Sequence, residues 1–291
     1  TRALVFDDND YLWMLGDEVG YYVLSERRYV RVDDSDGQII RNSFTAAFDD
    51  RHVYIGTTDG LIYKYDGNGS ITTFPPPSLA LHNIVDMACS GDELYVLTEE
   101  LGLHILDKGS GQEVACYDFF NINNRHMPAK SVLIDRLNRI WISTQRGIYL
   151  IDRKAQTYSL LNNKDGKNQH LISSSVWKIE EDSQGNLWFG TYSGGLYFIN
   201  CNRKEPFFTY REGNDQLNCP VVSSIVAQDN TVWVGTEGGG VNRLDLNSGK
   251  FTYLKHDSSR NSLSYDNIKS MVLAGDQLWI ASFRGGLDRY D

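Results

Sequence analysis

An aliphatic residue followed by an aromatic one, with glycine at a fixed distance behind, returns seven times along the 291 residues of this chain. The pairs are Leu12-Trp13, Val53-Tyr54, Leu94-Tyr95, Ile140-Trp141, Leu187-Trp188, Val232-Trp233 and Leu278-Trp279, with the aromatics 41, 41, 46, 47, 45 and 46 residues apart. Glycine follows six or seven residues later, at Gly20, Gly60, Gly102, Gly147, Gly194-Gly195, Gly239-Gly240 and Gly285-Gly286. Between these marks run short stretches with the alternating pattern of half-buried strands. Self-similarity at this period predicts an all-β fold, a seven-bladed β-propeller with four antiparallel strands per blade.

The sixth repeat reads most cleanly. Val222–Ala227 is expected as inner strand A, Thr231–Thr236 as B, Gly240–Asp245 as C and Lys250–Leu254 as outer strand D. The turns between them are rich in residues that tolerate positive φ. The aromatic on strand B offers each blade a large face to wedge against its neighbour, and the following glycines permit a turn where a Cβ would clash. Both features belong to the scaffold. Blades one to three are degenerate, with Tyr for Trp in two of them and a single glycine in each.

Seven repeats without a linker favour one closed ring over residues 1–291. The blades fall at about 1–34, 35–76, 77–121, 122–163, 164–212, 213–257 and 258–291. Sequence follows the seventh copy only as far as strand C, so blade seven is expected to lack its outer strand here, and the chain is expected to be a segment of a longer protein. The 28 basic and 38 acidic residues give a formal net charge of -10, which argues against sequence-blind nucleic-acid binding and against an anionic membrane surface. Cys89 is expected to pack as a small hydrophobe, while Cys201 and Cys219 flank one outer strand and could pair in an oxidising compartment.

The stretch I-x-E-D-x-x-G-N-L-W-F-G-T-x-x-G-G-L, from Ile179 to Leu196, closely resembles the regulator-propeller repeat of bacterial hybrid two-component sensors. Looser copies stand at Val226–Val241, Val132–Ile148 and Met271–Leu287, and Arg243 to Tyr253 matches the recurrent tail. The resemblance implies a periplasmic sensor region of a histidine kinase that continues into an Ig-like domain, a membrane helix and cytoplasmic signalling modules. It implies oligosaccharide ligands and a homodimeric parent, with no nucleic acid contacted by this segment and membrane contact only through that helix.

No catalytic constellation competes. The histidines at 52, 82, 104, 126, 170 and 256 stand singly, no metal-ligand spacing occurs, and no cofactor is expected. Tyr192-Ser193-Gly194-Gly195 lies in a hairpin turn rather than a strand-to-helix elbow. Asp34-Ser35-Asp36-Gly37 lacks the later carboxylate of a calcium loop and reads as a turn. Asp182 to Trp188 is similar to the sialidase Asp-box, which is itself a structural turn.

In a propeller the D-to-A loops and B-to-C turns open on one face, around the mouth of the central channel. Aligning inner strands by their Trp positions puts Arg2, Phe44, Val85, Lys130, Trp177, Ser223 and Lys269 at equivalent places near that mouth. The B-to-C turns of blades one to three bring mainly acids. Blades four, five and seven bring Lys130, Arg146, Trp177, Tyr192, Lys269, Phe283 and Arg284, the candidate ligand-binding residues. Aromatic faces stack on the apolar faces of sugar rings, and cationic side chains reach hydroxyls, carboxylates or sulfates. A carbohydrate site preferring an acidic sugar is the expectation, rimmed by the loops Asn121–Ala129 and His256–Asn267. In the bland alternative the same Lys and Trp pack between blades and the turn arginines are merely solvated, leaving a spacer or dimerisation module. A glycan-acting enzyme is a third, weaker alternative.

Overall fold

The computed structural model describes all residues except 1, 8, 9, 50, 76–81, 119–127, 156, 163–174, 201–206 and 260, and leaves aside the side chains of 207 and 208. Every regular element among the described residues is a β-strand, and none is a helix that could cross a membrane. The strands form seven antiparallel sheets, six of four strands and the last of three. Blade one holds β1 (Ala3–Phe6), β2 (Tyr11–Leu15), β3 (Val19–Val23) and β4 (Arg28–Val32). Blade two holds β5 (Ser43–Phe48), β6 (Val53–Thr57), β7 (Ile62–Tyr65) and β8 (Ile71–Phe74). Blade three holds β9 (Ile84–Ser90), β10 (Glu93–Thr98), β11 (Gly102–Asp107) and β12 (Glu113–Tyr117). Blade four holds β13 (Ala129–Ile134), β14 (Ile140–Thr144), β15 (Gly147–Asp152) and β16 (Thr157–Leu161). Blade five holds β17 (Val176–Glu181), β18 (Leu187–Thr191), β19 (Leu196–Ile199) and β20 (Phe207–Tyr210). Blade six holds β21 (Val222–Gln228), β22 (Thr231–Thr236), β23 (Gly240–Asp245) and β24 (Phe251–Leu254). Blade seven is β25 (Ile268–Ala274), β26 (Gln277–Ser282) and β27 (Gly286–Tyr290). The blade-six strands predicted from sequence shift by one residue at two ends, and blade seven has three strands as expected.

Two compact units divide the chain, Thr1–Val132 and Leu133–Asp291. Within the first, Tyr54 of β6 packs with Ile84 and Met87 of β9. Within the second, Trp141 packs with Val176 and Ile179 of β17, Trp188 with Val222 and Ile225 of β21, and Trp233 with Ile268 and Met271 of β25. These four signature aromatics thus wedge against the inner strand of the following blade. Removing about 150–250 Å² of ring from water stabilises by roughly 4–6 kcal/mol as an upper bound.

The aromatic is also locked by an aspartate six residues upstream. Trp13 Nε1 donates to Asp7 Oδ2 at 2.7 Å, Trp141 to Asp135 Oδ2 at 2.8 Å and Trp188 to Asp182 Oδ2 at 3.0 Å. The other oxygen holds the A-to-B turn: Asp182 Oδ1 accepts the backbone N–H groups of Gln184 and Asn186, both at 2.9 Å. One buried carboxylate therefore ties a turn to a wedge. The Asp-box-like stretch is structural, as its sequence suggests.

Two glycine positions follow from close approach. At the start of strand C, Gly195 and Gly240 have φ of +81° and +72°, and a Cβ would stand 2.2 Å from the carbonyl oxygen of Tyr210 or Leu254. On strand B, Gly190 faces the next blade, where a Cβ would meet Val222 Cγ1 at 2.5 Å. The first role is the one expected from sequence; the second is not visible there.

Candidate functional site

The residues that alignment puts at equivalent inner-strand positions share a backbone feature. In the pairing of strand A with strand B the register shifts around Phe44, Val85, Trp177, Ser223 and Lys269 in blades two, three, five, six and seven. Each is the extra, unpaired residue of a β-bulge. A bulge frees one residue from the ladder and re-aims its side chain, which is why bulges recur beside binding sites. Arg2 instead precedes β1, where its N–H donates to Leu15 O at 2.6 Å.

In the second unit three bulges lie on neighbouring inner strands, since β17 packs against β21 and β21 against β25. Trp177 meets Tyr192 of its own B-to-C turn, ring centroids 5.0 Å apart and planes at 33°. Tyr192 is held there by its backbone N–H, which donates to Ser175 O at 3.0 Å, yet half its surface stays open at 50%. Ser223 Oγ donates to Ile268 O at 2.7 Å, tying blade six to blade seven. Lys269 reaches back to Glu237 in the blade-six turn as a close ion pair. Its ammonium also sits 5.5 Å from the Phe283 centroid, and the Arg284 guanidinium lies 5.0 Å from the same ring. Arg284 has φ of +64°, an uncommon backbone state for a residue that is not glycine. Phe283 is fixed by its N–H donating to Asn267 O at 2.8 Å and is 45% exposed.

Two of the candidate residues stand apart from these contacts. Arg146 is positioned by its backbone N–H donating to Thr144 Oγ1 at 3.0 Å. Lys130 lies on β13 within the first unit. The structure thus groups Trp177 with Tyr192, and Lys269 with Phe283 and Arg284. Glu237, a B-to-C turn residue at the same mouth by sequence but outside the candidate set, completes the second group through its ion pair with Lys269.

In the rim loop from His256 to Asn267, two hydrogen bonds from His256 close the described ends. His256 Nδ1 donates to Leu263 O at 2.7 Å, and His256 N–H donates to Asp266 Oδ1 at 2.6 Å. A cavity of about 320 Å³ lies against it, lined by Gly238, His256, Tyr265, Asp266 and Asn267. Most of the other rim loop, 121–127, lies outside the described residues, as do His126, His170 and Cys201 with its suggested pairing.

Three acids of the early turns have local partners. Arg2 bridges Asp17 at 3.2 Å, Asn83 donates to Glu99 at 2.8 Å, and His82 stands 3.5 Å from Glu100. Asp34 is a turn: its Oδ1 accepts the N–H of Asp36 at 3.0 Å and of Gln38 at 2.8 Å. Cys89 packs against the blade-two and blade-three core, and burial pushes its thiol up to about 12. Sequence spacing offers no metal set, yet the fold brings ligand atoms of His104, Glu113 and Cys116 within 4.8 Å of one another. A 2.6 Å hydrogen bond between His104 Nδ1 and Glu113 Oε2 already joins two of them. Blades five to seven thus set two half-exposed rings, Tyr192 and Phe283, beside cations and one carboxylate.

Residues 170–193 match the family model described as "Two component regulator propeller". Histidine kinase P4 of Formosa agariphila is 35% identical over 99 residues, covering 34% of this chain and 6% of that protein. The extracellular domain of the putative hybrid two component system BT4673 from B. thetaiotaomicron matches 100% of this chain and 45% of its own, with TM-score 0.64 and 18% identity. Virginiamycin B lyase from Staphylococcus aureus matches 98% of this chain and 92% of its own, with TM-score 0.69 and 12% identity. The chain therefore spans under half of the first matched structure and a small fraction of the kinase. At these identities the structural likenesses establish the fold alone, a β-propeller, shared by an extracellular domain of a putative two-component system and by a lyase.

Proposed function

We propose that this chain, a β-propeller carrying a two-component regulator propeller repeat, is the non-catalytic extracytoplasmic sensing region of a hybrid two-component histidine kinase. In this reading it faces the periplasm and recognises an oligosaccharide. The observation that carries ligand recognition is the arc in the second unit, where bulged inner-strand residues Trp177 and Lys269 meet Tyr192, Phe283 and Arg284 of the B-to-C turns. The half-exposed Tyr192 and Phe283 rings supply apolar surface for a pyranose, while Arg146, Arg284 and Lys269 supply donors for hydroxyl or carboxylate oxygens. Glu237 neutralises Lys269, leaving the two arginines as the groups that favour an acidic sugar.

Signalling follows from differential affinity. Ligand must bind one arrangement of paired receptor subunits more tightly than the other, or nothing is transmitted to the kinase. A second reading, a spacer or dimerisation module, draws on the fact that Trp177 and Lys269 already have partners inside the chain.

Thermal-shift screening against neutral and acidic oligosaccharides separates the two. A ligand at 100 times its Kd stabilises by about 2.7 kcal/mol, a rise of roughly 5–10 °C in Tm. The triple variant Arg146→Ala, Trp177→Ala, Arg284→Ala should lose that rise while still melting cooperatively. An unchanged rise would remove the site from these residues, and no rise with any glycan would leave the spacer.

A further inference from the structure

A separate site lies in the first unit, at the end of blades two and three that carries the A-to-B and C-to-D turns. A cavity of about 690 Å³ opens there, lined among others by Asp49, Arg51, His52, Tyr54, Lys64 and Lys108. Its volume falls within the range of small-ligand clefts, roughly 300–1,000 Å³.

Its electrostatics run against the rest of the molecule. The chain carries a net -10, yet this cavity is lined by three cations and by two acids, Asp49 and Asp92. Asp49 is fully committed. Its Oδ2 accepts Lys108 Nζ at 2.7 Å, and its Oδ1 accepts the N–H groups of Arg51 at 3.0 Å and His52 at 2.9 Å. Burial pushes the Asp49 carboxyl up, but Lys108 and those amides outweigh it and hold the group at about 2. The carboxylate is a fixed anion that neutralises Lys108 and also stands 3.3 Å from His52 Nδ1, which leaves nothing over for Arg51 or Lys64.

Lys64 has no such partner among the described residues. Its ammonium is held 5.5 Å from the Tyr54 ring centroid and 6.0 Å from that of Phe74. The rings supply quadrupole attraction but no counter-charge. The Arg51 guanidinium likewise meets no carboxylate among the described residues. Tyr54 also lines this cavity, and its buried hydroxyl has no hydrogen-bond partner among the described residues. A charge without a counter-ion and a buried hydroxyl without a partner both favour an occupant that brings oxygens and negative charge.

We propose that this cavity is a binding site for a compact oxyanion, a carboxylate or sulfate free or borne on a single sugar, with Lys64 and Arg51 as its recognition residues. The site is independent of the aromatic arc in the second unit.

Calorimetric titration at constant ionic strength with sodium sulfate, glucuronate and glucose tests it, in the native chain and in the Arg146→Ala, Trp177→Ala, Arg284→Ala variant. The expected result is saturable binding of glucuronate or sulfate, absent for glucose, that persists in the triple variant. Lys64→Gln should weaken it at least tenfold, and Lys64→Arg should restore most of it. Equal affinity for sulfate and glucuronate would identify the oxyanion alone as the ligand, and tighter glucuronate would add the sugar ring. No saturable anion binding, or binding indifferent to Lys64→Gln in a sample that melts like the native chain, would overturn the proposal.

Discussion

Replacing Asp182 by alanine should destabilise the protein more than the loss of almost any other single carboxylate in the chain. The side chain is 3% exposed and serves three donors at once. These are the Trp188 indole N–H at 3.0 Å and the Gln184 and Asn186 backbone N–H groups at 2.9 Å, with the Asn186 amide at 3.0 Å as a fourth contact. Truncation leaves the buried indole and the buried Asn186 N–H without an acceptor. Each such orphan costs about 1–3 kcal/mol, more where the lost acceptor was charged. The expected total is about 3–5 kcal/mol, a Tm drop of roughly 6–12 °C. Asp182→Asn keeps one acceptor oxygen and should fall by less than half as much. Asp229→Asn, in the exposed blade-six turn at φ +52°, is the control and should move Tm by under about 1 °C. Circular dichroism melts with tryptophan emission as a second probe would measure all three. Blade six sets the refuting standard, because Ala227 stands six residues before Trp233 and its wedge packs without a carboxylate. If Asp182→Ala melts within 2 °C of the native protein, the aspartate only shapes the turn and does not lock the ring.

Two further perturbations follow from the same contacts. Gly190→Ala puts a Cβ 2.5 Å from Val222 Cγ1 and should cost about 1–3 kcal/mol; adding Val222→Ala should recover part of it, and a strictly additive double mutant would refute the clash. Asp49 titrates below its unfolded value of 3.8, so its contribution is present above pH 4 and is lost as pH falls toward 2. The Tm gap between the native chain and Asp49→Asn should therefore close across that window. It is worth about 1–2 kcal/mol after allowing for partial solvent screening, and a gap constant down to pH 2 would contradict the Lys108 pairing.

The repeat was legible because its marks are local. An aliphatic-aromatic pair and a glycine a few residues on report one strand and one turn, and copying them seven times reports the architecture. The alignment of Trp177 with Ser223 and Lys269 came from the same spacing, but that these are bulge residues did not, because a bulge is a relation between two strands. The partnership of Lys269 with Glu237 spans 32 residues and that of Lys108 with Asp49 spans 59, so each joins different repeats. Nothing in either local sequence announces the other end. The strand-B glycines are illegible in sequence for a similar reason: Gly190 is small because of what the following blade places against it, not because of its own turn.

The bulges have a consequence for how such a scaffold can change. A residue paired in a ladder is constrained from two sides, by its hydrogen bonds and by its neighbours across the sheet. The bulged residue stands outside the ladder, whatever side-chain contacts it makes, so its identity is nearly decoupled from strand register. Phenylalanine, valine, tryptophan, serine and lysine all occupy that one position in the five blades where the shift occurs, without altering the pairing on either side. The chain thus carries a row of interchangeable keys set in a rigid keyboard, and a new ligand preference could be composed by exchanging keys while the instrument keeps its tuning.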